Sequence, residues 1–151
     1  MSDNRTLYVE EAIIGAVKRL LTGRVNEILR DWEFLIPVIE FGNVGGGYAL
    51  APVLSLSCCE RTEKERIILL DAYSLSVVFT LQEHEDGELF CYAYSAAVGK
   101  AIGEDATLGG VADRVVITGK KYLPPKKPHC GEGWGLVLNL LLKIEGIGHA
   151  G

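Results

Sequence analysis

The chain has 151 residues, 48% hydrophobic and 23% charged, which suits one globular folding unit and excludes a collagen-like, coiled-coil or wholly disordered polypeptide. Its formal net charge of -5, from 15 Lys and Arg against 20 Asp and Glu, repels a phosphate backbone over the molecule as a whole and disfavours a dedicated nucleic-acid binder. No apolar run approaches the ~20 residues that span a bilayer, the first five residues carry no export pattern, and four cysteines are too few for a disulfide scaffold; a soluble, unexported chain with free thiols and no membrane partner is expected.

Thr6 can cap a helix running through Leu21, because Val9, Ile13, Ala16, Val17 and Leu20 recur at three and four residues. Gly23 is expected to stop it. From Arg24 to Glu33 the pattern is ambiguous, with Val25, Ile28 and Leu29 at helical spacing before an extended stretch, Phe34 to Phe41, opens after Trp32. Pro37 has no N–H to donate and belongs at a sheet edge or strand start. After a flexible glycine loop, Gly42 to Gly47, the segment Val53 to Cys59 sets Leu54, Leu56 and Cys58 against Ser55, Ser57 and Cys59, the alternation of a half-buried strand. A charged tip, Glu60 to Arg66, leads to a second strand in which Ile67, Leu69, Tyr73, Leu75, Val77, Phe79 and Leu81 alternate. The two form a long antiparallel hairpin, with a bulge or exposed end expected at Asp71.

His84 to Gly87 turns the chain, and Asp86 can cap an Ala-rich helix from Glu88 to about Ile102 whose face Phe90, Tyr94, Ala97, Ala101 and Ile102 lies on the sheet. Gly103 is expected to end it. A short loop through Gly109 and Gly110 leads to a strand, Arg114 to Gly119, then to a Pro/Gly-rich loop from Lys120 to Gly135. The closing strand, Leu136 to Glu145, carries Leu136, Leu138, Leu140, Leu142 and Ile144 on one face. The order implies an α+β fold: a largely antiparallel mixed sheet of four to five strands with two main helices packed on one face. A single domain is expected over 1–146, with 147–151 a fraying tail.

No motif supplies catalytic, cofactor or metal chemistry. Gly45-Gly46-Gly47 lacks the Lys-Ser or Lys-Thr and the helix start of a phosphate loop, and Gly131 to Gly135 has the wrong spacing for a dinucleotide fingerprint and opens a strand. Cys58 and Cys59 are adjacent, unlike zinc-ligand pairs; Cys58 and Cys91 fit small core positions, and His129 and Cys130 a loop. The carboxylates cluster at strand ends, and no nucleophile elbow surrounds Ser55, Ser57, Ser74 or Ser76. One local feature departs from the global charge: Lys120, Lys121, Lys126 and Lys127 bracket Leu123-Pro124-Pro125 with no acid between them. That basic loop fits either a solvated edge that deters strand pairing or a contact with an acidic partner or DNA phosphate. Trp134, with Val137 and Leu141 on the last strand, forms a candidate apolar subunit contact.

The segment Ala93-Tyr94-Ser95-Ala96-Ala97-Val98, followed by Glu104-Asp105-Ala106-Thr107-Leu108-Gly109-Gly110 and the strand ending at Thr118-Gly119, resembles phage minor tail proteins of the tail-terminator and tail-completion group. Those proteins commonly show an Ala-rich helix, an acidic-Thr-Leu-Gly-Gly turn and a strand ending near Thr-Gly. Element order is similar over residues 6 to 146, and the sequence match is confined to about 93 to 119. The resemblance implies a non-enzymatic structural subunit without cofactor or metal, assembling with itself as a ring, typically hexameric, that caps the tail tube and joins the head or neck. It implies a place in the virion tail, assembled in the cytoplasm of a host bacterium. Two rival readings are a small cytoplasmic hydrolase or transferase using Cys or His in the 129–134 loop, and a monomeric head-tail connector or adaptor.

Overall fold

Period-two apolar residues build the sheet. A computed structural model describes residues 9–32, 36–42, 49–64, 68–127 and 131–147, and in it β3 (Val53–Lys64), β4 (Ile68–Gln82), β5 (Arg114–Leu123) and β6 (Glu132–Ile147) form a four-stranded antiparallel sheet in the order β3-β4-β6-β5. On the central pair, Tyr73, Leu75, Val77, Phe79 and Leu81 of β4 and Leu136, Leu138, Leu140 and Leu142 of β6 are all buried. Because successive side chains of a strand point to opposite faces, these nine cover one face of the sheet and draw the helices onto it. The architecture is α+β, with the expected hairpin of β3 and β4 and the helices on one side.

The first helical unit is longer than the glycine at its middle suggests. Helix α1 (Val9–Leu20) passes through a π turn (Leu21–Val25) directly into α2 (Asn26–Arg30), with helical dihedrals at both junctions. Gly23 therefore does not stop the helix. The core positions Ile13, Val17, Leu21, Val25 and Leu29 repeat every four residues, and each such step overshoots a 3.6-residue turn by about 40°. A widened turn absorbs part of that overshoot and keeps Val25 and Leu29 buried in the core.

The π turn also creates a backbone problem that one side chain solves. The Asn26 N–H bonds the Gly23 carbonyl, and the buried Asn26 amide donates to the Thr22 carbonyl (3.1 Å) and the Ile39 carbonyl (2.9 Å) while accepting from the Ile39 N–H (2.9 Å). Asn26 thus pins the short strand β1 (Val38–Ile39) to the helix. Pro37 immediately precedes β1, the strand-start position expected, and its carbonyl accepts the Tyr94 hydroxyl. β1 pairs in parallel with β2 (Ala49–Leu50) and not with the main sheet.

Helix α3 (Gly87–Glu104) lies over β5 and β6, with Phe90, Tyr94, Ala97, Ala101 and Ile102 buried as expected and Tyr94 stacked on Phe79 at 5.0 Å. It runs through Gly103 to Glu104. Asp86 holds the N-cap position without a side-chain bond; the turn is fixed by His84, whose Nδ1 accepts the Asp86 N–H (2.9 Å). Arg24 of the π turn joins the far end of α3 through a two-pronged contact with Glu104 (2.7 and 2.8 Å).

Three other boundaries differ from expectation. β5 continues to Leu123 and β6 begins at Glu132, so the proposed Lys120–Gly135 loop shrinks to the residues between these two strands. Gly133 explains the closeness there: a methyl on it would collide with the Gln82 carbonyl oxygen, beside the β4 irregularity at Thr80/Gln82. The irregularity expected near Asp71 falls in β3, between Cys58 and Glu60, while Asp71 pairs regularly with Arg61. Gly146 and Ile147 belong to β6. The expected Thr6 cap, the Gly45–Gly47 loop and residues 148–151 lie outside the described residues.

Asn26→Ala removes the partner of three backbone groups at a buried junction. Loss of about 2–4 kcal/mol is expected, read as a lower urea midpoint at unchanged m-value; a loss within ±0.5 kcal/mol, the level of an ordinary surface change, would contradict the role given to this amide.

Candidate functional site

The turn that carries the family resemblance is internally committed. Asp105 Oδ1 accepts the Thr107 N–H (3.0 Å) and hydroxyl (2.6 Å), Oδ2 accepts the Gly109 N–H (2.8 Å), and the Thr107 oxygen accepts the Gly110 N–H (3.0 Å). Leu108, Gly109 and Gly110 all have positive φ (53°, 72° and 93°), a left-handed run that glycine adopts freely and that buried Leu108 tolerates because the turn around it is fixed. The Asp-Ala-Thr-Leu-Gly-Gly pattern therefore encodes a sharp reversal from α3 into β5.

The cysteine and histidine chemistry considered from the sequence gains little from the geometry. Cys91 is fully buried, its thiol faces the Gly135 carbonyl at 3.6 Å, and burial, reinforced by Glu88, pushes its pKa up to about 11. A thiol held protonated is a poor nucleophile. His84 organises its own turn and packs on Phe90 at 4.8 Å. Among the described residues no group of three His, Cys, Asp or Glu side chains is placed to hold a metal. His129 and Cys130 lie outside the described residues, as do the side chains of Cys58 and Cys59.

The four lysines do not form one basic loop. Lys120 and Lys121 are consecutive in β5, opposite Leu138 and Val137 respectively, so Lys120 emerges on the helix-bearing side and Lys121 on the other. Lys126 and Lys127 are exposed in the turn before β6, where the Lys126 N–H is held by Glu132 (2.9 Å) and the Gly131 N–H by Glu83 (3.0 Å). The proposed apolar contact divides in the same way. Trp134 is half-buried against the start of α3, where Gly87 lets it approach to 3.1 Å of a hypothetical Cβ, whereas Val137 and Leu141 lie on the opposite face.

That opposite face is not covered by any helix among the described residues. Across it run a row of Val53, Val78 and Val137, a row of Ser55, Ser76 and Asn139, and a row of Ser57, Ser74 and Leu141. Val53 is 61% exposed at the β3 edge. The face is mixed, with valine and leucine interrupted by small hydroxyl side chains.

Two further surfaces, which the linear pattern of residues does not single out, lie at the two edges of the sheet. One is an open groove of 480 Å³ between α1 and the β3 edge, lined by Ile14, Leu56, Ser57 and Tyr73 with Glu10 and Glu11 at its rim; the Tyr73 hydroxyl donates to Glu10 (2.8 Å). The other is an apolar corner at the β5 edge. There Leu89 (44% exposed) and Tyr92 (46%) of α3 stand out from the surface, and Tyr92 meets Tyr122 edge-on at 5.1 Å, while Leu123 (37%), opposite Gly135, is exposed on the other face of the same edge. The signal for Leu89 and Tyr92 is their size and apolar character at positions off the sheet-facing stripe of α3.

Electrostatics at the end of α3 gives a pH signature. Arg24 holds the Glu104 carboxyl below its ordinary range by hydrogen bonding, and the Thr107 hydroxyl, then the Thr107 and Gly109 N–H groups, do the same for Asp105. With folded-state values below the unfolded ones, the unfolded chain takes up protons first as pH falls, so stability present above the carboxylate range is lost through it. Between about pH 6 and about pH 3 the urea midpoint of Asp105→Asn is expected to fall less than that of the wild type; equal acid slopes would contradict the assignment. Cys91 is expected to react with a thiol reagent only on unfolding; fast labelling of Cys91 in the native chain, located by peptide mapping, would refute its burial. Compared with known protein families and with curated proteins, the chain has no match.

Proposed function

We propose that this chain is a structural phage or prophage tail protein that assembles as a ring, caps the tail tube and joins it to the head or neck. The observation that carries the reading is the one-sided sheet. A subunit of this size buries one face of its sheet beneath helices and leaves the other face, with its Val53-Val78-Val137 row, open among the described residues. The outer strands β3 and β5 each pair on one side only. A subunit that closes a ring needs two different surfaces related by rotation, and opposite sheet edges of different character supply them. The resemblance over residues 93–119 adds the tail assignment, and the committed hydrogen bonding of Asp105 and Thr107 fits a motif that serves shape.

The function is adhesion, with the tube and neck proteins as partners and the open sheet face as the surface offered to them. Sedimentation and electron microscopy of the purified chain are expected to find closed rings of one stoichiometry, six on the family resemblance, and rings seated on the ends of tail tubes when these are supplied. A monomer at every concentration, with or without tubes, would reject the ring and favour the adaptor reading.

A further inference from the structure

The ring reading leaves open how one subunit holds the next, and two surfaces at opposite edges of the sheet differ in the way such a contact requires. The groove between α1 and β3 has an apolar floor of Ile14, Leu56 and Tyr73 and an acidic rim of Glu10 and Glu11. The turn after β5 presents exposed Leu123 and Pro124, followed by Lys126 and Lys127, whose side chains make no ion pair among the described residues. Apolar meets apolar in this pairing, and two cations meet two carboxylates.

Neither surface can satisfy the other within one chain. β3 and β5 are the outer strands of the sheet, three interstrand spacings of about 4.8 Å apart, so the groove and the turn are separated by roughly 14 Å or more with α3 and the central strands between them. They sit at opposite edges of the sheet, so a second copy rotated beside the first brings its turn to the first copy's groove. The turn is also preorganised. Pro124 and Pro125 restrict its backbone, and Glu132 and Glu83 clamp it at Lys126 and Gly131, which lowers the ordering cost of docking.

We infer that the acidic apolar groove between α1 and β3 receives the Leu123–Lys127 turn of a second copy of this chain, in a head-to-tail contact repeated around the ring. The inference rests on the ring reading. Its occupant is chosen by charge: a -5 chain repels its own copies on average, and association is favoured where a local cationic segment faces carboxylates.

The test uses two charge reversals at exposed positions, Glu11→Lys and the pair Lys126→Glu with Lys127→Glu, followed by sedimentation analysis of each and of their equimolar mixture. Each variant alone is expected to self-associate at least about tenfold more weakly than wild type, and the mixture to regain closed assemblies, because in an alternating ring the residue at position 11 of every groove then faces a turn of opposite charge. Glu11→Ala and Lys127→Ala, which remove charge at exposed sites without reversing it, are expected to give the same order of effect at smaller size. Wild type and both reversals assembling equally well would overturn this contact while leaving the ring reading standing. Variants that are weakened but not restored by mixing would overturn the pairing of these two surfaces. A wild-type chain that never associates would overturn both.

Discussion

A sheet supplied with one layer of helices can bury only one face, and that constraint governs the rest of the molecule. The central strands β4 and β6 meet it with an unbroken alternation of large apolar residues on the helix side, Tyr73 to Leu81 facing Leu136 to Leu142. Among the described residues no helix covers the other parity. There the chain places serines, an asparagine and β-branched residues, a composition that suits a pleated, half-solvated surface. The helices then need not be long or strongly amphipathic; they need to be held at the right distance, and Asn26, Arg24 and Tyr94 do that by bonding across elements.

What is legible in the sequence follows from the same constraint. Period two is a strong signal where one face is buried, so the alternation of residues alone places the β3–β4 hairpin and the leucines of β6, as helical spacing places the buried face of α3. The helix through Gly23 is not legible in this way, because a glycine followed by ambiguous spacing suits a stop as well as a continuation. What decides it is tertiary: Val25, Ile28 and Leu29 gain a core, and the Asn26 side chain satisfies a carbonyl of the widened turn. The extension of β5 through Lys120 to Leu123 is hidden for a related reason. An edge strand with exposed lysines has the composition of a loop, and its pairing with β6 is specified by the partner strand.

The candidate site is legible only in part. The lysines and the β6 residues are visible as a cluster in sequence, but alternation in β5 and β6 distributes them to opposite faces, which a linear reading of a supposed loop cannot anticipate. The groove beside α1 joins residues some sixty positions apart in the chain, Glu10 with Tyr73. Its signal in the sequence is faint: two adjacent glutamates in the first turn of a helix serve the helix dipole equally well. The glycine turn after α3 is the most specific motif and the least chemical one, since its polar groups are consumed in shaping the backbone.

If the chain works by adhesion through its sheet edges and the turn beside β5, association should leave its mark on backbone amides there. Hydrogen exchange compared between dilute and concentrated protein is the most direct measurement. The account predicts that protection rises along β3 and at the Leu123, Lys126 and Lys127 amides while the central amides of β4 and β6 stay as they were. Exchange that is unaffected by concentration throughout, or protection that rises only in β4 and β6, would contradict it.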